Sequence, residues 1–206
     1  MYKTIKTYCN QLTNEFNTIP ENRKELLSKI TNYISEKRKA NKPINLVYIC
    51  THNSRRSHFG QVWAHVAASY FNIKDVSTCS GGTEATAFNI NAINALKRVG
   101  FNIKPINIEK NSTYHVFHDD NESPSVCFSK TYDDAKNPQS EFAAIMTCCD
   151  AEKNCPFIPG AELSISATYD DPKAFDNTPQ QDVKYDERCQ QIALETLYVF
   201  SKIQLQ

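Results

Sequence analysis

The sequence has no excess of either charge. Lys and Arg together number 23, as do Asp and Glu, so the formal net charge at pH 7 is zero. This balance gives no sign of a nucleic-acid or anionic-membrane partner. The sequence also lacks any apolar stretch near the roughly 20 residues that span a bilayer, and its first residues, MYKTIKTYCNQ, lack the apolar segment of a signal peptide. We therefore expect a cytoplasmic protein.

Cysteine, by contrast, is abundant, with eight residues in a chain of 206. In a reducing cytosol such cysteines are more often catalytic or redox-active than paired in structural disulfides. The length is sufficient for one sizeable core plus an extension.

The stretch from 45 to 57, NLVYICTHNSRRS, combines a strand pattern, a cysteine and a polar loop. Leu46 to Ile49 predict a buried strand that ends at Cys50, and a helix is predicted from about Arg56 to Phe71. Backbone N–H groups of such a loop point inward and the helix dipole adds positive potential, so the loop predicts an oxyanion site. The same field favours a Cys50 thiolate. The alternative is a buried structural cysteine beside an ordinary arginine at a helix start.

The spacing Cys-x5-Arg-Ser fits a loop wrapped around one tetrahedral oxyanion, with Arg56 as a planar fork for its oxygens. The other residues expected around the oxyanion are Thr51, His52, Asn53, Ser54, Arg55 and Ser57.

Strand patterns alternate with helix patterns over the rest of the main part of the chain. Strands are predicted at Val76 to Cys79, Phe142 to Met146 and Leu163 to Ala167, and helices from about Asn89 to Gly100 and Lys184 to Ile203. This alternation predicts an α/β fold, a three-layer sandwich around a mainly parallel sheet of about four strands. Cys50, Ser80, Cys148 and Asp171 each follow a predicted strand, so we expect them at one edge of the sheet.

Two segments stand apart from this pattern. Residues 1–43 predict two helices, an N-terminal extension that either covers the core or serves as a partner-binding or regulatory arm. Residues 44–206 then form the catalytic domain. Within it, residues 111–140 are rich in Asp, Asn, Ser and Pro, and they predict either a hairpin or a long surface insertion.

Four motifs together resemble a known family. CTHNSRRS before a helix, SGGTEA after the second strand and YDDP before the last helix are similar to low-molecular-weight protein tyrosine phosphatases, and TCCDAEKNCPFIP resembles the thioredoxin-coupled arsenate reductases of that family. The resemblance covers roughly 44–206. It does not include 1–43 or an insertion near 115–138.

The resemblance implies a role for each matching residue. Cys50 would be the nucleophile, Arg56 the oxyanion clamp, and Asp171 the general acid, with Asp170 as the neighbouring candidate. Asn53 and Ser57 would shape the loop and hydrogen-bond to the sulfur. The redox pair implied by the resemblance is Cys148 and Cys155.

The implied reaction is reduction of arsenate to arsenite through a Cys50–Cys148–Cys155 disulfide relay recycled by thioredoxin. A protein tyrosine phosphatase is the alternative; it would need only the nucleophile, clamp and acid, plus an aromatic wall supplied by Tyr169 or by the insertion. A non-catalytic oxyanion sensor is a third hypothesis.

The sequence departs from the family at several positions. His52 replaces a glycine and Arg55 a small residue, and Cys149 places a thiol where the family has a small side chain. Gln61 replaces a glutamate that helps to bind potassium in related reductases, although Asn53 and Ser80 match that ion site. We therefore predict neither a metal nor a cofactor.

Overall fold

The computed structural model describes residues 1–148 and 157–203. In chain order its helices and strands are α1 Lys3–Thr13, α2 Glu21–Lys39, β1 Ile44–Cys50, α3 Arg56–Tyr70, β2 Val76–Gly82, α4 Ile90–Val99, β3 Asn102–Pro105, β4 Tyr114–Phe117, β5 Ser125–Cys127, β6 Phe142–Met146, β7 Ala161–Ser166 and α5 Gln181–Ser201. Short 3-10 turns occur at Phe16–Thr18 and Pro172–Phe175. Among the described helices, none has the length and apolar character needed to cross a bilayer.

A parallel four-stranded sheet with the order β2-β1-β6-β7 forms the centre of the fold. Helices cover both of its faces, which explains why β6, with the sequence FAAIM, is buried at every position. The predicted three-layer sandwich with a mainly parallel sheet of about four strands is confirmed.

The register of the central strands brings the predicted site residues to one edge. Cys50 pairs with Gly82 across β1 and β2, and Ile49 pairs with Met146 across β1 and β6. The segments that follow these strands therefore begin side by side at the carboxyl edge of the sheet, where parallel α/β folds bind their ligands.

A second sheet, antiparallel and with the order β3-β4-β5, accounts for much of the polar stretch. The β4–β5 pair corresponds to the hairpin interpretation of 111–140. Strand β3 was not predicted, because its four residues, NIKP, contain only one buried side chain and show little of the alternation that marks a strand. The Gln61 side chain of α3 donates to the carbonyl of Val126, at 3.0 Å, and so joins the helix to this sheet.

The two N-terminal helices pack into the main core. Both pack against α5, and their fully buried side chains include Ile5, Leu12 and Ile34. The Thr31 hydroxyl donates to the carbonyl of Val199 at 3.1 Å. Of the two interpretations of residues 1–43, this packing favours a cover for the core.

Replacing Ile34 with alanine tests that interpretation. Ile34 is completely buried, so the shortened side chain should leave a cavity and lower the free energy of unfolding by about 3 kcal/mol. Ile108→Ala is the control, because Ile108 is 97% exposed, and its effect should stay within about 0.5 kcal/mol. Urea unfolding of both variants measures the difference, and equal stabilities would contradict the packing role.

Candidate active site

Residues 50–57, called here the Cys50 loop, connect β1 to α3. Cys50 is 3% exposed, and its Sγ lies 3.1 Å from Ser57 Oγ. Asn53 Nδ2 donates to the same Ser57 oxygen at 2.8 Å, and Asn53 Oδ1 accepts from the backbone N–H of Lys130 at 2.9 Å. Asn53 has a φ of 42°, in the left-handed region that asparagine tolerates better than most residues. Its buried amide thus holds the turn from both sides.

Gly82, at the end of β2, allows the loop to pack closely against the sheet. A Cβ at this position would lie 2.5 Å from the carbonyl oxygen of Glu84 and 2.6 Å from that of Thr51. The clashing atoms belong to the backbone and cannot rotate away, so the geometry requires glycine.

The Arg56 side chain contacts the segment that precedes the last helix. Arg56 Nη1 donates to the carbonyl of Tyr169 at 2.8 Å, and Arg56 Nη2 donates to Asp171 Oδ2 at 2.7 Å. Asp171 also accepts from the backbone N–H of Lys173 at 3.0 Å, which fixes its carboxylate. Asp170, in contrast, has a side chain that is 98% exposed, with one oxygen 3.4 Å from an Arg188 nitrogen. Of the two aspartates, Asp171 is therefore the one held at the Cys50 loop.

Arg55 and Arg56 are adjacent, but their side chains have different partners. Arg55 Nε donates to the Tyr185 hydroxyl at 2.6 Å, and another of its nitrogens lies 3.2 Å from Asp176. Because these contacts attach Arg55 to α5 and the turn before it, any contact with an oxyanion in the loop would have to come from its backbone.

His52 and Ser54 contact the segments around the loop, and the carbonyl of Thr51 accepts from the Thr83 hydroxyl at 3.2 Å. The His52 side chain is 42% exposed and lies 3.8 Å from Glu84, while its carbonyl accepts from the hydroxyls of Thr86 and Ser129. The Ser54 hydroxyl donates to the carbonyl of Ala87 at 2.7 Å. Each of these groups fixes the loop to the segments that follow β2 and β5.

Cys148 lies beside the Cys50 loop. Its Sγ is 3.4 Å from the Thr51 hydroxyl, and Cys50 and Cys148 belong to the same buried apolar cluster. The backbone N–H of Thr147 donates to the carbonyl of Ile49 at 2.7 Å, which continues the β1–β6 pairing toward the two cysteines. Cys149 and Cys155 lie outside the described residues.

Behind the loop, a network of buried polar side chains connects α3 with β2. The Ser80 hydroxyl donates to Gln61 Oε1 at 2.6 Å and lies 3.2 Å from His58 Nδ1. The three residues considered at sequence level for an ion site, Asn53, Gln61 and Ser80, thus hydrogen-bond with neighbouring protein groups.

Sequence reasoning missed His58 and Lys130, which both belong to this region. The His58 ring is fully buried and lies 4.1 Å from the Phe88 ring. Burial, together with the positive charge of Lys130, lowers the pKa of His58 to about 3. No sequence pattern revealed this pair, because its residues come from α3 and from the segment after β5, far apart in the chain.

Tyr169 does not form an aromatic wall at the mouth of the site. It is 8% exposed, and its hydroxyl donates to Glu195 Oε2 at 2.8 Å. The Arg23 guanidinium lies over its ring, 4.8 Å from the centroid. These contacts direct the ring into the protein, so this part of the phosphatase expectation was wrong.

Comparison with known proteins identifies the class of fold. No protein-family model matches the chain. A low-molecular-weight phosphotyrosine phosphatase from Vibrio cholerae O395 superposes with a TM-score of 0.51 and 14% identity, over 77% of this chain and 94% of that protein. An arginine phosphatase from Geobacillus stearothermophilus gives 0.51 and 12%, over 79% and 94%. The chain therefore has the low-molecular-weight phosphatase fold.

Sequence similarity identifies a family within this fold class. Arsenate reductase 2 from one strain of Staphylococcus epidermidis, and an arsenate reductase from another strain, are each 30% identical to the chain over 127 residues, which cover 62% of this chain and 77% of the relative. The chain belongs to the arsenate reductase family.

Gly82→Ala should disturb the Cys50 loop without unfolding the protein. The added methyl group meets the backbone of Thr51, so the loop must move, and phosphate binding measured by calorimetry should weaken by about tenfold or more. Ser77→Ala, an exposed position on the same strand, should bind phosphate like the wild type. Wild-type affinity in Gly82→Ala would show that the close approach is not required.

His58 makes stability depend on pH. Its pKa is about 3 when folded, against an ordinary value of 6.5, so between these values the unfolded chain binds a proton that the folded protein does not. The contribution of the neutral His58 to the free energy of unfolding is fully present above pH 6.5 and is lost as the pH falls. From pH 7 to pH 5 the loss amounts to about 2 kcal/mol.

His58→Gln removes this titration. Urea unfolding at the two pH values should show that, between pH 7 and pH 5, the free energy of unfolding falls by about 2 kcal/mol less in the variant than in the wild type. His52→Gln, a change at a well-exposed histidine, is the control and should follow the wild type. Parallel curves for wild type and His58→Gln would refute the assignment.

Proposed function

We propose that the protein reduces arsenate to arsenite, with Cys50 as the nucleophile and a Cys50–Cys148–Cys155 disulfide relay that thioredoxin recycles. The observation that carries the proposal is the position of Cys148. Its sulfur lies 3.4 Å from the hydroxyl of Thr51, the residue that follows Cys50, and both cysteines share one buried cluster. A phosphatase needs no second thiol at this place, whereas a disulfide relay does.

In the first step the Cys50 thiolate attacks the arsenic atom, and a sulfur–arsenic bond forms as one oxygen departs. Arg56 and the N–H groups of the Cys50 loop hold the remaining oxygens. Asp171 protonates the departing oxygen, which leaves as water. The contact of 2.7 Å between Arg56 and Asp171 supports this assignment, since the two side chains that we propose as clamp and acid lie next to each other.

Ser57 and Asn53 stabilise the nucleophile in this scheme. Asn53 donates to Ser57 Oγ, so an acceptor position of that oxygen is occupied and the Ser57 O–H is free to donate to the sulfur 3.1 Å away. A hydrogen bond to a thiolate favours the charged form.

In the second step the electrons are transferred. The Cys148 thiolate attacks the sulfur of Cys50, the sulfur–arsenic bond breaks, and its electron pair stays on arsenic, which changes from As(V) to As(III). The Cys50–Cys148 disulfide that forms holds the two oxidising equivalents. Cys155 then attacks Cys148, which releases the Cys50 thiolate and leaves a Cys148–Cys155 disulfide.

A dithiol protein must reduce that last disulfide, and thioredoxin is the partner that we propose. Thiol–disulfide exchange through a mixed disulfide returns Cys148 and Cys155 to thiols and oxidises the partner. We also place the protein in the cytoplasm, because the relay needs thiols that remain reduced between turnovers.

The test is arsenate-dependent NADPH oxidation in the presence of thioredoxin and thioredoxin reductase. Wild-type protein should turn over, while Cys148→Ser and Cys155→Ser should each lose at least about a hundredfold in rate, because the disulfide can no longer be passed on. Cys9→Ala is the matched control. Cys9 is buried in α1, so its loss should affect stability and leave turnover near that of the wild type.

The competing hypothesis, a protein tyrosine phosphatase, uses Cys50, Arg56 and Asp171 but not the second and third cysteines. Hydrolysis of an aryl phosphate that is lost in Cys50→Ser and kept in Cys155→Ser, with no arsenate turnover in wild type, would overturn the reductase proposal. A slow phosphatase side reaction beside full arsenate turnover would leave it standing.

A further inference from the structure

A second group of reactive side chains lies where α3 meets the β4–β5 hairpin, apart from the residues assigned to the reductase. It contains His65 from α3, His118 just after β4, and Glu122 from the connection to β5. One donor atom from each of the three lies within 4.8 Å of the others. His118 Nε2 and Glu122 Oε2 are 3.0 Å apart.

We propose that His65, His118 and Glu122, called here the hairpin triad, bind a divalent transition-metal ion, with Zn²⁺ as the best match. Two imidazoles and one carboxylate form a common zinc donor set and leave one position for water. In a tetrahedral site the donor atoms lie about 3.4 Å apart, because zinc–nitrogen and zinc–oxygen bonds are about 2.1 Å long. The donor atoms of the triad lie within 4.8 Å of one another, so the widest separation must shorten by at most about 1.4 Å.

Of His118 and Glu122, Glu122 is better able to move. The Glu122 side chain is 43% exposed and belongs to a hairpin connection, whereas the His118 side chain is 2% exposed and fixed by its surroundings. A rotation of Glu122 would place an ion between its carboxylate and His118 Nε2, in place of the present hydrogen bond.

Neighbouring hydroxyls orient the ligands, as is usual around metal sites. Ser125 Oγ lies 2.8 Å from His65 Nδ1, and a hydrogen bond between them fixes the orientation of the ring. The Ser69 hydroxyl donates to Glu122 Oε1 at 2.9 Å.

Protonation is also compatible with metal binding. Burial lowers the pKa of His65 to about 4 and moves the pKa of His118 below its usual value. A lowered pKa favours the neutral ring, which is the form that binds a metal. The positive charge of the Met1 amino group, which is paired with Asp119, contributes to the lowered pKa of His118.

An ion in the triad would act as a structural clamp. It would join α3, which begins at the Cys50 loop, to the hairpin whose continuation holds that loop through Ser129 and Lys130. The expected effect is a gain in stability on metal binding, with no part in the chemistry.

The experiment is thermal unfolding of the full-length chain with a chelator and with added Zn²⁺, together with cadmium-113 NMR to identify the ligands. Free Zn²⁺ at a hundred times its Kd should raise the folding constant about a hundredfold. The cadmium resonance should fall in the range of nitrogen and oxygen ligands, well apart from that of thiolate ligands.

Glu122→Gln is the main variant, since its side chain is exposed enough for the protein to fold and the amide can keep the Ser69 contact. We expect it to weaken Zn²⁺ binding at least about tenfold, and His65→Gln to do the same. His115→Asn, a change at a histidine that lies in β4 and outside the triad, is the control and should bind like the wild type.

The outcomes are decisive in both directions. The triad is supported if the wild type binds one equivalent of the ion and if binding is weakened by the changes at Glu122 and His65 but not by the change at His115. A thiolate-range cadmium signal, equal affinity in Glu122→Gln, or no stabilisation of the wild type by Zn²⁺ overturns it.

Discussion

The hydrogen bonds of one buried amide, that of Asn53, hold the Cys50 loop in place. Its Nδ2 donates to Ser57 and its Oδ1 accepts from the backbone of Lys130, so the two ends of the amide connect the loop with the segment after β5. A buried amide with both ends satisfied is stable, whereas one deprived of a partner carries a desolvation penalty of about 1–3 kcal/mol. The left-handed turn at Asn53 therefore depends on the second sheet as well as on β1 and α3.

The two adjacent arginines show how a buried site tolerates two like charges. Arg55 is bound by Asp176 and the Tyr185 hydroxyl, and Arg56 by Asp171. Each guanidinium thus has a carboxylate of its own, as a buried charge requires. The arrangement also separates their roles, because Arg55 holds the loop to α5 while Arg56 stays at the mouth beside Asp171.

Local features of the fold and site were predictable, and features made by distant contacts were not. β1, the loop and α3 follow one another in the chain, so the hydrophobic periodicity and the cysteine spacing predicted their positions. The parallel arrangement of the strands also predicted that Cys148 lies at the same edge as Cys50. His58 and Lys130 come together only because of how the second sheet packs, and the hydrophobic periodicity of the sequence does not predict that contact. Tyr169 was misjudged because its hydroxyl is satisfied by Glu195 of α5, a contact set by helix packing.

The two segments outside the family resemblance are connected to each other. The backbone N–H of Tyr2 donates to the carbonyl of His118 at 2.7 Å, and the Tyr2 hydroxyl donates to Asp120 at 2.6 Å. The start of α1 thus holds the hairpin that reaches the Cys50 loop, while the buried face of α1 packs on α5. Residues 1–43 and the hairpin are therefore joined by direct contacts, and a truncation of the first segment would also loosen the second. Point substitutions that leave both segments in place are consequently the way to separate a role in catalysis from a role in support.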